Sequence, residues 1–296
     1  MADDHAFVRR VLDALWDRYR ERVSYARTYQ ELVARHGGTF ENDHVAFRTF
    51  AAQKPWLGIA AVARPFEALG WRAAGTYDFP DKKLSSIHFA PPAPGLPKIF
   101  VSELRLWELS PAGRRVALAA TASAKSALSD GALLDLARAG ALPAPRAKAL
   151  AARLVAHFDR PWPAPAKSDV ERLERESQFG AWTLLHGHSV NHFTSAVHAH
   201  GVDALADIEK TVAALKAAGV PMKPAIEGER GTRLRQSSTE AVVLPTAMRV
   251  GRKTVRAPWT YAYFELAERP LLDGRRFEGF LGGQATNLFE MTRRKA

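Results

Sequence analysis

The sequence of 296 residues contains no cysteine. That absence excludes disulfide bonds, thiolate nucleophiles and cysteine-ligated zinc, so a bound metal ion would have to be held by histidine, aspartate or glutamate. No apolar run approaches the roughly 20 residues that a membrane-spanning helix requires. The N-terminal stretch MADDHAFVRRVLDALW also lacks the pattern of a secretory signal peptide. We therefore expect a cytoplasmic protein that has no membrane partner.

The charge balance is strongly basic, with 42 lysines and arginines against 31 acidic residues and a formal net charge of +11. These positive charges are scattered along the chain and form no basic arm. Such scattering is typical of a general preference for arginine on helix surfaces, and it is also compatible with a small anionic ligand. Because no basic stripe is present, we expect no nucleic-acid partner.

An order of one strand, one helix and three strands appears early in the chain. Residues 5–36 have helical periodicity, and the alternating segment HVAFRTF at 44–50 then predicts a strand with His44, Ala46 and Arg48 on one face. A helix is predicted at 55–69, and three strand-like runs follow it: WRAAGTYDF, LSSIHFA and KIFVSELRL.

The same order recurs later. HSVNHFTSAV at 188–197 predicts a strand, 203–219 predicts a helix, and three extended stretches follow around PAIEGE, LRQSSTEAVVL and WTYAYFELA. The intervening residues 110–180 are alanine-rich and helical in pattern. Two modules with one element order indicate a repeat at the scale of the fold.

We predict an α+β protein in which two βαβββ modules surround a central metal site, with a helical N-terminus and a helical insertion. The predicted segments are an N-terminal helical segment (1–43), a first module (44–109), the insertion (110–180), a second module (181–268) and a C-terminal segment (269–296).

Histidine and glutamate stand at corresponding places in the two modules. His44 and His192 lie on the opening strands, and Glu103 and Glu265 lie on the closing strands. If the first and last strands of each module are neighbours in a curved sheet, as many as four ligands can meet. Two histidines and one carboxylate on one side of an ion are the usual ligand set of non-heme Fe(II) oxygenases, although manganese and zinc suit the same groups.

Five of the ten histidines fall within HGHSVNHFTSAVHAH at 186–200. An unbroken strand would place all five on one face, but strands usually run only about five or six residues. We therefore expect His192 to be the functional member and His186, His188, His198 and His200 to lie in loops at the surface or the rim of the site.

Six motifs resemble those of the 2-oxoadipate dioxygenase/decarboxylase family, also called hydroxyglutarate synthases: HVAFRTF, KIFVSEL, SVNHFT, LRQSST, YFELAER and GFLGGQATNLFEMT. The family belongs to the vicinal oxygen chelate superfamily of paired βαβββ modules, and its members are often longer than this chain. The resemblance implies an Fe(II) site formed by His44, His192 and Glu265, and a substrate carboxylate held by Arg48. It assigns no ligand role to Glu103, which leaves that residue a structural or supporting one.

The reaction implied by the resemblance is the conversion of 2-oxoadipate and O2 into 2-hydroxyglutarate and CO2. The expected partners are thus a small anionic 2-oxo acid and O2, with Arg48 as the candidate catalytic and substrate-binding residue. Gln236, Ser237 and Ser238 in LRQSST offer further hydrogen-bonding groups to a substrate.

Two other functions fit the same scaffold. An extradiol dioxygenase or a metal-dependent isomerase would keep the metal site and change the chemistry. A non-catalytic protein that binds a small molecule would keep the fold alone. The sequence leaves the oligomeric state open.

Overall fold

A computed structural model describes residues 5–52, 54, 56–283 and 289–293. Its helices surround one curled sheet. They are α1 (Ala6–Arg22), α2 (Ser24–Arg35), α3 (Ile59–Ala68), α4 (Pro111–Ala120), α5 (Asp130–Leu136), α6 (Ala144–His157), α7 (Lys167–Glu176), α8 (Gln178–His186) and α9 (Ile208–Ala217). Short 3₁₀ turns occur at Pro80–Lys82, Leu106–Glu108, Ala139–Ala141, Asp203–Leu205 and Glu290–Thr292.

The strands are β1 (Asn42–Ala51), β2 (Arg72–Phe79), β3 (Leu84–Ala90), β4 (Lys98–Arg105), β5 (Val190–Ala196), β6 (Arg235–Ser238), β7 (Val243–Val250), β8 (Lys253–Thr260) and β9 (Glu265–Glu268). Seven of them form one sheet in the order β2-β3-β4-β1-β5-β9-β6, and β7 and β8 form a separate hairpin. The two modules thus share a single sheet and join where β1 runs antiparallel to β5.

The first and last strands of each module are neighbours, which is the condition under which their histidines and glutamates could meet. β1 pairs in parallel with β4, and β5 pairs in parallel with β9. The fold class is therefore confirmed: a mixed α+β protein with a helical N-terminus and a helical stretch between the modules, and the first module has the β-α-β-β-β order. The exact ranges assigned to the segments stay a prediction.

The second module departs from the simple pattern. The stretch around PAIEGE forms no strand of its own in the described chain and contacts β6 through an isolated bridge between Glu227 and Gln236 and through hydrogen bonds of Lys223 and Ala225. The β7–β8 hairpin, which the sequence analysis does not predict, lies between β6 and β9 in the chain. Its exposed positions alternate with partly buried ones on β7, so it packs one face only, as antiparallel ribbons commonly do.

The predicted N-terminal helix is two helices that meet at Val23, whose backbone leaves the helical region (φ −107°, ψ 83°). One straight helix over 5–36 would be roughly 48 Å long, too long to bury its whole apolar stripe against one small sheet. The break lets Tyr19 on α1 and Tyr29 on α2 enter the same core.

The two faces of β1 have different surroundings. Val45 and Phe47 pack into the largest hydrophobic cluster, with α1, α2, α3 and α6. Ala46 faces a smaller cluster with Phe100 and Phe280 on the other side of the sheet. This second side is concave and contains the polar groups described next. No helix in the described part of the chain is long and apolar enough to cross a membrane.

Candidate metal centre

Three consecutive strands of the sheet carry His44, His192 and Glu265. His44 on β1 lies opposite Thr194 on β5, and Thr194 lies opposite Glu265 on β9. His192 precedes Thr194 by two residues and therefore faces the same side of the sheet. The register of these strands alone brings the three side chains together on the concave face.

The ligand atoms lie close to one another. His44 Nε2 and His192 Nε2 are 3.3 Å apart, and they lie 3.6 Å and 3.4 Å from Glu265 Oε1 and Oε2 respectively. One possible ligand atom from each residue lies within 4.8 Å of the others, and no further group of this kind occurs among the described residues. Nearly equal separations are what three ligands on one face of an ion would give.

A β-bulge precedes each histidine. The register between β1 and β5 shifts at two places. Asp43 is the extra residue on β1, and Asn191 is the extra residue on β5. A bulge re-aims side chains, and here each bulged residue contacts the following imidazole. His44 Nδ1 lies 2.8 Å from Asp43 Oδ1, and His192 Nδ1 lies 3.1 Å from Asn191 Oδ1. Because both oxygens accept hydrogen bonds, each imidazole carries its proton on Nδ1 and presents the lone pair of Nε2 to the centre.

Glu265 is held on one oxygen only. Gln236 Nε2 donates a hydrogen bond of 2.6 Å to Glu265 Oε1. The other oxygen, Oε2, is buried and has no hydrogen-bond partner among the described residues. A buried carboxylate oxygen without a partner is costly, and a cation beside it would remove that cost.

Burial shifts the protonation equilibria of all three groups. It lowers the pKa of His44, against the opposing effect of Asp43, and it lowers the pKa of His192 well below the usual value, with smaller effects from His44 and Arg48. Burial also raises the pKa of Glu265 to about 8, against the hydrogen bond from Gln236. Neutral imidazoles are the form that binds metal ions.

The donor set fits a divalent transition-metal ion. The Nε2 atoms of two neutral imidazoles converge with a carboxylate. The Nδ1 atom of each imidazole is held by an oxygen acceptor, and one oxygen of the carboxylate lacks a hydrogen-bond partner among the described residues. Such outer hydrogen bonds orient ligands at metal sites. An ion held by these three residues would keep its remaining coordination positions for groups that enter the cavity.

Aromatic rings enclose the cavity around the three residues, which Phe100, Tyr263, Phe280 and Phe289 help to line. Tyr263 stacks on His192 with 4.9 Å between ring centroids, and Phe280 meets His44 edge to face at 4.8 Å. These contacts fix the imidazole planes and keep much of the cavity apolar.

Arg48 lines the same cavity and is fully buried at 1% exposure. Its Nη1 donates to Thr292 Oγ1 at 2.8 Å, and its Nη2 donates to the carbonyl oxygen of Phe289 at 3.4 Å. The guanidinium lies 4.7 Å and 5.0 Å from the ring centroids of Phe179 and Trp182. A positive charge among aromatic rings attracts an anion strongly because little water screens it.

The three residues from LRQSST are placed differently. Gln236 lines the cavity and binds Glu265. The Ser237 hydroxyl donates to the carbonyl oxygen of Ala225, and neither Ser237 nor Ser238 is among the described residues lining the cavity. A substrate contact by these two serines stays a prediction.

Glu103 faces the opposite side of the sheet from the metal-binding candidates. It pairs with Thr49 in the register of β1 and β4, and Thr49 is an odd number of residues from His44. Its carboxylate accepts a hydrogen bond of 2.8 Å from the backbone N–H of Ile59, the first residue of α3. Gly58 precedes Ile59 with φ 97°, and a Cβ atom at Gly58 would lie 3.0 Å from Glu103 Oε2. Glu103 therefore caps a helix.

The expectation of surface or rim positions is wrong for three of the remaining histidines in the cluster. His186, His188 and His200 are buried, and only His198 is partly exposed. His186 contacts the carbonyl oxygen of Thr260, and His188 contacts the Thr49 hydroxyl. His186 and His188 belong to the core because helix α8 and the turn after it pack against the sheet, whereas His200 is buried by its contacts with Val202 and Leu205 after β5.

Several residues of the site are not predicted from the sequence, namely Asp43, Asn191, Tyr263, Arg269, Phe280 and Thr292. A signal for the first two exists: an Asp or Asn directly precedes the histidine in each module, as DH at 43–44 and NH at 191–192. Adjacent residues on a regular strand face opposite sides, so the pairs acquire meaning only through the bulges.

A protein-family model described as 2-oxoadipate dioxygenase/decarboxylase matches residues 11–287. Two plant proteins with that name are similar to the chain. The one from Oryza sativa subsp. japonica is 28% identical, over 97% of this chain and 79% of its own length. The one from Arabidopsis thaliana is 29% identical, over 84% of this chain and 67% of its own. Both names add a plastid location, so a cytoplasmic location for this chain stays a prediction.

Two solved structures resemble the fold. The hydroxyglutarate synthase from Oryza sativa, solved in complex with 2-oxoadipate, has a TM-score of 0.80 and 27% identity, covering 99% of this chain and 94% of that one. A protein from Ralstonia eutropha JMP134 described as a putative glyoxalase superfamily member has a TM-score of 0.81 and 28% identity, covering 91% and 84%.

Proposed function

Because the chain belongs to the 2-oxoadipate dioxygenase/decarboxylase family, we propose that it converts 2-oxoadipate and O2 into 2-hydroxyglutarate and CO2 with Fe(II) as its cofactor. The observation that carries the proposal is the convergence of His44, His192 and Glu265 in a cavity that also contains Arg48. The rice protein of similar fold, solved with 2-oxoadipate, supports a 2-oxo acid as substrate.

His44 Nε2, His192 Nε2 and a Glu265 oxygen would hold the ion. Asp43 and Asn191 keep both imidazoles in the tautomer that presents Nε2, and Gln236 fixes the Glu265 carboxylate in its rotamer. When bound, Fe(II) supplies a place for O2 and for the 2-oxo acid group and polarises the substrate carbonyl.

Arg48 would bind a substrate carboxylate. Its planar guanidinium suits a bidentate contact with a carboxylate, and its aromatic neighbours exclude water around it. Thr292 Oγ1 and the Phe289 carbonyl oxygen occupy two of its N–H groups and so restrict the directions from which an anion can approach.

The atoms of the proposed reaction balance without a second oxo acid. C2 loses the C1 carboxyl group as CO2, and one oxygen atom of O2 completes the new carboxylate at C2. The other oxygen atom enters a C–H bond at C3, whose hydrogen stays in the product as the proton of the new hydroxyl group. The substrate supplies all four electrons that reduce O2, two through its decarboxylation and two through the oxidation of C3. Phe100, Tyr263 and Phe280 shield the reacting groups from bulk water.

The test is a measurement of stoichiometry. Metal-free protein is loaded with Fe(II) and mixed with 2-oxoadipate in air, without 2-oxoglutarate. One O2 consumed and one CO2 released per 2-hydroxyglutarate formed would support the proposal. Protein loaded with Zn(II) is the control and is expected to be inactive, because zinc has no redox chemistry. Turnover with zinc or without O2 would favour an isomerase, and no metal binding at all would favour a non-catalytic binding protein.

A further inference from the structure

A buried ion pair lies directly behind His44. Arg269 binds both oxygens of Asp43, with Nε 2.6 Å from Oδ2 and Nη2 2.9 Å from Oδ1. The side chains of the two residues are 1% and 3% exposed. Asp43 Oδ1 also accepts the hydrogen bond from His44 Nδ1. Arg269 is thus one residue removed from a candidate metal ligand.

The remaining N–H groups of Arg269 hold a different part of the chain. Nη1 donates to the carbonyl oxygens of Phe277 and Gly279, each at 2.7 Å. The guanidinium also lies 5.2 Å from the centroid of the Phe280 ring. We call residues 276–280 the Phe280 strap, because they carry this ring into the cavity wall.

Other contacts keep the Phe280 strap in place. The backbone N–H of Phe280 donates to the Tyr77 hydroxyl at 3.2 Å, and Glu278 forms an ion pair with Lys98 at 2.5 Å. The Phe280 ring then meets the His44 ring edge to face. Arg269 therefore touches the strap at its backbone and contacts His44 through Asp43.

A guanidinium is suited to this double task. Its N–H groups point in fixed directions within one plane, so one edge can bind a carboxylate while another group binds carbonyl oxygens. Lysine keeps the charge but loses the fixed geometry. A bidentate contact also prevents the Asp43 carboxylate from rotating, so Oδ1 stays aligned with His44 Nδ1.

We propose that Arg269 is a positioning residue that orients His44 through Asp43 and fixes the Phe280 strap as the cavity wall, so that metal binding and substrate binding depend on one side chain. This inference rests on the proposed metal role of His44. An ion pair that only stabilised the fold would change neither binding property in a folded variant.

The experiment measures binding of Co(II) alone to metal-free protein by calorimetry and by the visible absorption of the bound ion. Arg269→Lys is expected to weaken Co(II) binding about 10- to 100-fold, the range found for residues that support metal ligands. The same variant, loaded with Fe(II), is expected to raise the KM for 2-oxoadipate. Circular dichroism and thermal unfolding confirm that the variants are folded.

Two further variants separate the contact of Arg269 with Asp43 from its contacts with the Phe280 strap. Asp43→Asn keeps an oxygen facing His44 but removes the charge that binds Arg269, and it is expected to weaken Co(II) binding. Phe280→Leu removes the ring from the cavity wall and its edge contact with His44 but leaves the hydrogen bond from His44 Nδ1 to Asp43, so it is expected to raise KM and to weaken Co(II) binding less than Arg269→Lys does. Equal Co(II) affinity in Arg269→Lys, Phe280→Leu and the wild type would overturn the coupling to His44.

Arg105→Lys is the matched control. Like Arg269, Arg105 is a buried arginine that binds both carboxylate and carbonyl oxygens. Its partners are the carboxylates of Asp78 and Glu108 and the carbonyl oxygen of Leu84, which lie away from the cavity. It is expected to lose stability without losing Co(II) affinity. An equal loss of affinity in Arg105→Lys and Arg269→Lys would show a general effect of destabilisation and overturn the inference. A wild-type protein that does not bind Co(II) would overturn the metal site itself.

Discussion

Glu103 and Glu265 occupy corresponding places in the two modules but have different surroundings. Each lies on the last strand of its module, next to and parallel with the first strand. Glu265 enters the cavity beside His44 and His192, whereas Glu103 points to the other face of the sheet and binds the first turn of α3. Two glutamates in one sequence pattern therefore have unrelated roles.

The difference arises from strand register. Glu265 lies opposite Thr194, two residues from His192, whereas Glu103 lies opposite Thr49, five residues from His44. Because side chains alternate between faces, an even offset puts Glu265 on the histidine face and an odd offset puts Glu103 on the opposite face. Residue type and order in the chain do not contain this information.

The same substitution at both glutamates is expected to have very different effects. Glu265→Gln is expected to lower Fe(II) affinity and kcat/KM by more than about 100-fold, since it removes a ligand charge and not merely a supporting contact. Glu103→Gln is expected to leave Fe(II) affinity and kcat/KM within about twofold of the wild type. Glu103 lies on the other face of the sheet, and distant residues without shared partners act almost independently. Calorimetry and steady-state kinetics on both variants provide the measurement.

Metal-free Glu265→Gln should remain folded, because the substitution replaces a buried carboxylate that lacks a partner on Oε2. Equal losses of activity in the two variants would contradict the assignment of Glu265 to the centre.

Arg48 lies on β1 and shares the cavity face with His44. Arg48→Lys keeps the charge but loses the planar fork, so we expect kcat/KM for 2-oxoadipate to fall about 10- to 150-fold, equal to about 1.5–3 kcal/mol. Fe(II) affinity should not change. Shorter and longer 2-oxo diacids should react more slowly than 2-oxoadipate with the wild type, since the distance between Arg48 and the proposed metal site is fixed by the fold. Kinetics within twofold of the wild type would exclude a carboxylate contact.

A second comparison lies within the histidine cluster. Burial lowers the pKa of both His186 and His188 to about 3, with smaller effects from Arg160, Arg22 and Arg48 on the former and from His157 on the latter. Their folded-state pKa lies below the unfolded value of about 6.5. The unfolded chain therefore binds more protons as the pH falls below about 6.5, and stability is lost progressively towards pH 3.

Each of these two groups is expected to cost about 1.4 kcal/mol of the free energy of unfolding between pH 7.5 and pH 5.5. Urea unfolding of the metal-free wild type and of the His186→Gln/His188→Gln double variant at both pH values measures the difference. The wild type should lose about 3 kcal/mol more than the double variant over this interval. An identical pH dependence would show that the two imidazoles are not buried in the neutral form.

The smallest effect concerns the cap of α3. Glu103→Ala removes the acceptor for the Ile59 N–H, and losing a helix cap typically costs about 0.5–2 kcal/mol. Chemical denaturation should show this loss, while Glu103→Gln should lose less because its amide oxygen still accepts the hydrogen bond. A loss of Co(II) binding in Glu103→Ala would place this residue nearer to the metal centre than its strand position allows.

Local patterns in the amino-acid sequence predict most of the elements and the three candidate metal ligands. The period-2 alternation in HVAFRTF specifies a strand with His44 and Arg48 on one face, and the recurrence of strand, helix and strands specifies paired modules. These signals are local, so they can be read without knowing which strands become neighbours. The absence of cysteine likewise limits the metal ligands before any fold is known.

The residues that meet at the site are brought together by long-range contacts, which exist only in the folded chain. The offset that separates Glu265 from Glu103, the bulges that turn Asp43 and Asn191 towards the histidines, and the Arg269 contacts to the Phe280 strap all depend on register and on groups far apart in the chain. The break at Val23 and the β7–β8 hairpin are also set by the available packing surface. Long-range pairing decides these features because a shift of one residue reverses every side chain of a strand without altering its local pattern.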